Sequence, residues 1–313
     1  MPPLPDEHTL KLAEKEDLDT LAKLDARGLL LGAGEDGPSY AARLRKLRQN
    51  TQKMTAALAA TGHYQIDDLN VESKERIPES YFGEVAQQCL NLYGFAVDWV
   101  PGFFVNPDFF LFGGCAYCFY PEFFALFIIR RQFRQREKWF IYSRRELLAH
   151  ELCHIARVAL GSERFEETFA YQTSSSTFRR LLGGVFLKAS DSYLFLGSAF
   201  LVLFGQILRT FLLPSLPIWP FWAAMVLALG WLFLRYAWLR FTLSRASATL
   251  HTVFGDQTRH VLFRCTDDEV AALAALPHQE LPDWLNRQTD LRWRLLRHRS
   301  PVSDPRHKAR AQN

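Results

Sequence analysis

The chain lacks a disulfide framework. Its five cysteines, Cys89, Cys115, Cys118, Cys153 and Cys265, are odd in number and irregularly spaced. That excludes a small disulfide-stapled scaffold and fits a reducing compartment for the parts in water. The opening Met1-Pro-Pro-Leu-Pro-Asp-Glu-His has no basic region followed by an apolar core, so no secretory signal is read and the N-terminus is expected to stay in the cytosol. Strong charge is missing as well: +4 over 313 residues is too little to imply a nucleic-acid partner. There is no Gly-rich phosphate loop and no G-x-S-x-G elbow. From Phe103 to Ile129, an aromatic-rich stretch, Pro107, Asp108, Gly113, Gly114, Pro121 and Glu122 break every window before the roughly 20 apolar residues that a spanning helix needs.

The apolar residues that are present are unevenly placed. Residues 1 to about 60 are mostly polar, with helix-like spacing over Glu14–Leu24 and Tyr40–Leu58 around the loop Gly32–Pro38, and read as a docking or regulatory segment. Pro78-Glu-Ser80 opens a predicted helix through Leu92, stopped at Gly94. Phe95–Val100 alternates and predicts a strand ending at Pro101. Buried strands with a Gly113-Gly114 turn are expected next, then a hairpin pairing Phe127-Ile-Ile with Lys138–Tyr142 through the turn Arg134-Gln-Arg136. Two apolar runs follow, Tyr193–Leu213 and Ile218–Leu234, joined by the short link Leu213-Pro-Ser-Leu-Pro217 and edged by tryptophans. They predict a helical hairpin across a lipid bilayer. Arg179, Arg180 and Lys188 precede it, Arg235, Arg240 and Arg245 follow it, and only Arg209 lies near the link. That bias places both ends, and the chemistry between them, on the cytosolic side of a cell or inner membrane. Beyond it, Val261–Arg264 reads as a strand, Thr266-Asp-Asp-Glu269 as a capping box, and Arg292–Arg310 as a basic tail able to touch anionic lipid.

The chemistry centres on His150-Glu151-Leu152-Cys153-His154. On a helix, residues four apart share a face, so both histidines reach one metal ion. Glu151 sits about 100 degrees round from His150, beside that metal, where it can take a proton from water. The helix is signalled independently. Ser143-Arg-Arg-Glu146 has the capping-box pattern, Gly161 supplies a stop, and Leu148, Leu152, Ile155 and Ala159 form a core stripe on another face. A hydrolytic zinc needs a third ligand and an open position. Gly at 157 and His at 160 would supply it in one known arrangement, but the sequence has Arg157 and Leu160. Ser162 is expected to cap a second helix, Glu163–Leu182, which folds back after Gly161 and ends at Gly183-Gly184. It offers Glu167, on one face with Glu163 and Tyr171, and Glu166, on a face with Ala170. The carboxylate that does not ligate can orient a histidine ring. Tyr171 and Arg157 are candidate oxyanion donors. Cys115-Ala-Tyr-Cys118 has metal or redox spacing but no second half, and on a strand its thiols point to opposite faces. Cys153 turns away from the histidines, and nothing in the sequence brings His251 or His260 near them.

Together these residues resemble the gluzincin metallopeptidases, which carry His-Glu-x-x-His on one helix and a Glu ligand on the next. Within that group the chain looks most like the HtpX-like and CAAX-prenyl-peptidase-like membrane enzymes and the minigluzincins. Their Glu-x-x-Ala-Asp is matched by Glu167-Thr-Phe-Ala170 up to Tyr171, which stands where they have Asp. The resemblance favours Glu167 over Glu166, spans about residues 103 to 183, and includes in outline Asn106 to Gly114. It implies an α+β, zincin-like catalytic domain, a small sheet packed on the zinc-binding helices, with a two-helix transmembrane hairpin. The expected division is an N-terminal helical segment 1–76, the metallopeptidase domain 77–190, the hairpin 191–241 and a cytosolic segment 242–313. The implied activity is that of a zinc metalloendopeptidase acting on a peptide or protein at the membrane face. His150, His154 and Glu167 would bind Zn2+, Glu151 would be the general base and Tyr171 the catalytic helper. The aromatic strand around Phe109–Phe119 would take an extended peptide along its edge. Arg144, Arg145, Glu146 and Arg157 keep the zinc helix out of the bilayer, against cleavage within it. The alternative is a membrane-anchored binding or regulatory protein with a structural zinc or none.

Overall fold

The computed structural model describes residues 3–107, 112–119 and 124–300. Three helices come first: α1 (Glu7–Glu14), α2 (Leu18–Ala26) and α3 (Gly37–Thr61). Each is started by an aspartate, Asp6, Asp17 and Asp36, whose side chain accepts from the backbone N–H three residues on. A two-stranded hairpin, β1 (His63–Ile66) and β2 (Leu69–Glu72), leads to α4 (Glu79–Tyr93), which stops at Gly94 as predicted. The main sheet has β3 (Gly102–Val105), β4 (Gly114–Phe119) and β5 (Phe124–Arg130) in the order β3-β5-β4. β5 is parallel to β3 and antiparallel to β4. Its continuous apolar run Phe124–Ile129 is buried throughout, because both faces of a central strand are covered. One face meets α4 and the helices that follow; the other meets Met54 and Leu58 of α3 and Val71 of β2.

A small hairpin, β6 (Lys138–Trp139) and β7 (Tyr142–Ser143), introduces α5 (Arg144–Arg157). After it come two short helices, α6 (Glu166–Tyr171) and α7 (Thr177–Leu182). Then come two helices long and apolar enough to cross a membrane, α8 (Ala189–Phe211) and α9 (Trp219–Phe254). Within their most apolar windows only 17% and 22% of residues are buried, so these helices are not the core of a water-soluble body. They support an integral-membrane protein. Arg235 clamps their base by two bonds to Asp191, at 2.8 and 2.7 Å. The chain closes with α10 (Thr258–Leu262), α11 (Asp267–Ala275), α12 (Leu281–Arg287) and α13 (Leu291–Arg299). The result is an α+β protein with small sheets against helices and a membrane-length helical pair. One apolar cluster joins Leu10 and Leu21 at the start, Leu152 on α5 and Trp293 near the end.

Several local expectations fail, each because a distant partner outcompetes the local signal. Phe95–Val100 forms no strand; its Ala96 N–H bonds Ala26 O at the end of α2. Phe127–Ile129 pairs with β3 and β4, while β6 and β7 pair with each other around Phe140, whose φ is +51. Ser143 precedes the helix as predicted, but the box with Glu146 does not form. Glu137 accepts from Ser143 Oγ and from the Arg145 N–H instead, at 2.9 and 3.1 Å. The helix expected over Glu163–Leu182 is divided at Gln172–Ser176, where Glu146 binds Ser174 and Ser175. The second membrane helix runs on to Phe254, past the expected Leu234. Val261 and Leu262 end a short helix, not a strand. The Thr266–Glu269 capping box forms in full. Arg292, expected to begin a basic tail, is buried against Glu269, and residues from 301 on lie outside the described ones.

Trp293 is fully buried, donates to Glu269 at 2.7 Å and meets Trp284 edge-on. Trp293→Ala is expected to cost about 3–5 kcal/mol. Thermal unfolding in detergent reads this as a lowered midpoint; an unchanged midpoint contradicts the packing of the C-terminal helices into the common core.

Candidate metal centre

α5 is held by its buried stripe. Leu148, Leu152, Ile155 and Ala156 face the core, and Cys89 of α4 lies against the Ala149 carbonyl. His150 and His154 fall on the other side, half-buried. A short 3-10 turn, Val158–Leu160, and Gly161 at φ +63 reverse the chain. Only a residue free of Cβ strain adopts that conformation cheaply. The loop after it is pinned from the far end of the sequence, where Asp267 Oδ2 accepts the N–H groups of Glu163 and Arg164 at 2.8 and 2.9 Å. With Phe165 buried, α6 then presents Glu166 and Glu167 to α5.

Glu167 converges on both histidines. Its oxygens lie 3.4 Å from His150 Nε2 and 3.4 Å from His154 Nε2, and the two nitrogens are 3.1 Å apart. These three side chains form a cluster able to hold a metal ion. Ligands about 2.0–2.2 Å from a tetrahedral metal ion lie about 3.3–3.6 Å from one another, so both carboxylate distances match such a site and the two nitrogens lie slightly closer than it needs. Imidazole nitrogens with one carboxylate are a donor set that suits several divalent transition metals, zinc among them.

Glu166 has a different job. It meets His154 Nδ1 at 3.6 Å and Arg157 Nε at 2.7 Å. Arg157, expected as an oxyanion donor, has no exposed side-chain surface. Its guanidinium donates to the carbonyls of Phe263 and Cys265 and lies over the Phe169 ring at 4.4 Å. It therefore faces away from the cleft, and fixes the carboxylate that faces His154 Nδ1. Burial pushes the Glu166 carboxyl up, but Arg157 and His154 outweigh it and hold it below the usual range. Glu167 is likewise held down against its burial, by contact with His150 and the charge of the two histidines. For His154, burial lowers the pKa, while Glu166, Glu151 and Glu167 raise it, and the result is about 8.

His150 and Glu167 of the cluster line a cleft of about 830 Å³, together with Glu151 and Tyr171. Glu151 Oε2 accepts the Ala116 N–H of β4 at 2.9 Å, so the acid is held at the outer edge of the sheet. Tyr171 lies edge-on to His150, ring centroids 4.6 Å apart. A side chain at Gly183 would collide with that ring, so glycine there lets Tyr171 lie where it does. Burial and the Glu167 charge push its hydroxyl up to about 12, so it stays protonated and able to donate. Sequence reading missed Tyr142 and the Glu146–Arg179 pair, bonded at 2.9 Å, which also line the cleft. The only signal for Glu146 had been its helix-start spacing. Cys115 and Cys118 do face opposite sides, packing against the second and the main apolar cluster. Burial, with Glu151 nearby, raises their thiols to about 12 and about 11, so neither is a ready thiolate. His251 bonds Gly255 O, and neither it nor His260 lines the cleft.

No protein-family model, no curated protein and no solved structure matches the chain.

Metal binding requires neutral imidazole, so a proton on His154 competes with the metal. Apparent zinc affinity, read by chelator competition, is expected to fall about tenfold per pH unit below about 8 and to level off above it. A flat profile between pH 6 and 8 contradicts the site. At fixed pH, Glu166→Gln should weaken zinc by about 10–100-fold, and Glu167→Ala should weaken it further. Equal affinity in both variants and the parent would remove the two carboxylates from the centre.

Proposed function

We propose that the chain is a membrane-anchored zinc metallopeptidase of the gluzincin type, with a zincin-like catalytic domain over residues 77–190. The observation that carries this reading is the convergence of Glu167 on His150 and His154, with Glu151 lining the same cleft as His150 and Glu167. His150, His154 and Glu167 are the zinc ligands, and three protein ligands leave a position open for chemistry. When bound, zinc supplies Lewis acidity towards a water molecule and a scissile carbonyl.

The chain's own groups do the rest. Glu151 takes the water proton and later passes it to the leaving amine. Tyr171, protonated and next to His150, donates to the developing oxyanion. β4 is an edge strand beside α5, and an extended peptide adds along it, bringing its backbone to Glu151. The part of that edge read from Phe109 lies outside the described residues up to 111. Arginines and Lys188 at both ends of the helical pair, against Arg209 alone near the link, favour a cytosolic catalytic domain and termini.

Glu151→Gln separates this reading from that of a structural metal in a binding protein. In a peptide-library cleavage assay with zinc-loaded protein, the variant should keep about one zinc per chain and lose at least about 10²-fold in turnover. A substitution that leaves cleavage unchanged, or a parent that cleaves nothing, contradicts the peptidase.

A further inference from the structure

Large apolar side chains exposed on a water-facing surface are informative when they gather in one place. Outside the helical pair and its link, Leu90 and Tyr117 are exposed singly among the described residues. The other five, Phe140, Ile141, Phe178, Leu181 and Phe186, come from the β6–β7 turn, α7 and the segment before α8. Ile141, Phe178 and Phe186 line the same cleft as His150 and Glu151, at its mouth. Phe178 is 71% exposed and Phe140 63%, as open as the apolar residues of α8 and α9 themselves.

The depth of this rim follows from its contacts with α9. At about 1.5 Å per residue, a hydrocarbon layer of about 30 Å that begins near Trp219 ends close to Trp238. The Asp191–Arg235 pair lies at that end, where charged groups are first tolerated. Tyr236, the next residue, donates its hydroxyl to Leu181 O of α7. Leu182 and Val185 pack on Leu232, about one turn to the membrane side of Arg235. The end of α7, at Leu181 and Leu182, is therefore tied to the helical pair at the level where apolar core gives way to headgroups.

We propose that this apolar rim is a second membrane contact: Phe140, Ile141, Phe178, Leu181 and Phe186 dip into the bilayer interface. The cleft then opens at headgroup depth, and the rim side chains continue the apolar surface of α8 and α9. Large aromatic and aliphatic side chains on a short amphipathic element suit that zone. The contact needs no metal and no hydrolysis, so it stands apart from the peptidase reading.

Nitroxide spin labels test it on the full chain in phosphatidylcholine–phosphatidylglycerol vesicles, in a Cys115→Ala, Cys118→Ala background. Labels go on Ile141→Cys and Phe178→Cys, with Leu203→Cys on α8 as the membrane reference and Lys53→Cys on α3 as the water reference. Accessibility to oxygen relative to a water-soluble nickel complex should be several-fold higher at 141, 178 and 203 than at 53. Values at 141 and 178 that match 53 overturn the proposal, and so does a match at 203, which removes the membrane pair. Spin–spin broadening at 178 that disappears on dilution with unlabelled chain also overturns it, assigning the rim to a second copy.

Discussion

Arg157 is a full positive charge with no exposed side-chain surface, and the arrangement of the site depends on how that charge is satisfied. A buried charge is tolerated only when it is paired and its remaining donors are bonded. Glu166 pairs it, the Phe263 and Cys265 carbonyls take its other donors, and Phe169 and Phe263 close over its faces. Removing one partner of such a pair typically costs about 3–5 kcal/mol. The pair does more than stabilise. It connects the metal helix α5 to the acidic helix α6 and to a turn about 100 residues further on, beyond the helical pair. The carboxylate it fixes faces His154 Nδ1, which leaves Nε2 turned to the metal position. An orienting carboxylate on a ligand histidine is a recurrent feature of metal centres. Here it would be supplied by Glu166, the residue just before Glu167 of the His/His/Glu cluster.

The same linkage explains why segments remote in sequence share one core. Asp267 pins the loop before α6, and Arg264 bonds Asp25 of α2 and the Tyr93 carbonyl at the end of α4. Tyr93 in turn donates to Phe169 O on α6 at 2.7 Å. The metal helices are thus bounded by the sheet on one side and by N- and C-terminal helices on another. The membrane pair emerges between α7 and α10 without interrupting this body, because α9 continues into it as far as Phe254.

How much of this was legible in the sequence follows from the range of the forces involved. α5 was legible because its apolar stripe, its Gly161 stop and the His-Glu-x-x-His spacing are all local and agree. The membrane-length helices were legible from composition alone, and the Thr266–Glu269 box from spacing alone. What failed was decided elsewhere. Glu137 displaced Glu146 at the start of α5, because a β-turn that no local pattern announces brings it there. Val261 and Leu262 have strand-like composition, but they sit in a short helix packed into the main core. The choice between Glu166 and Glu167 could not be made from helix periodicity, since neighbours differ by about 100 degrees and either can face α5. The buried role of Arg157 was not legible either, because the Phe263 and Cys265 carbonyls that take its other donors lie more than a hundred residues away.

A metal centre of two imidazoles and one carboxylate has a distinct X-ray absorption spectrum at the zinc edge of the loaded protein. Nitrogen and oxygen scatterers are expected at about 2.0–2.1 Å, with the outer-shell signature of two imidazoles, and Glu167→Ala should lose one oxygen or the metal. A sulfur scatterer at about 2.3 Å, or three imidazoles, would contradict it.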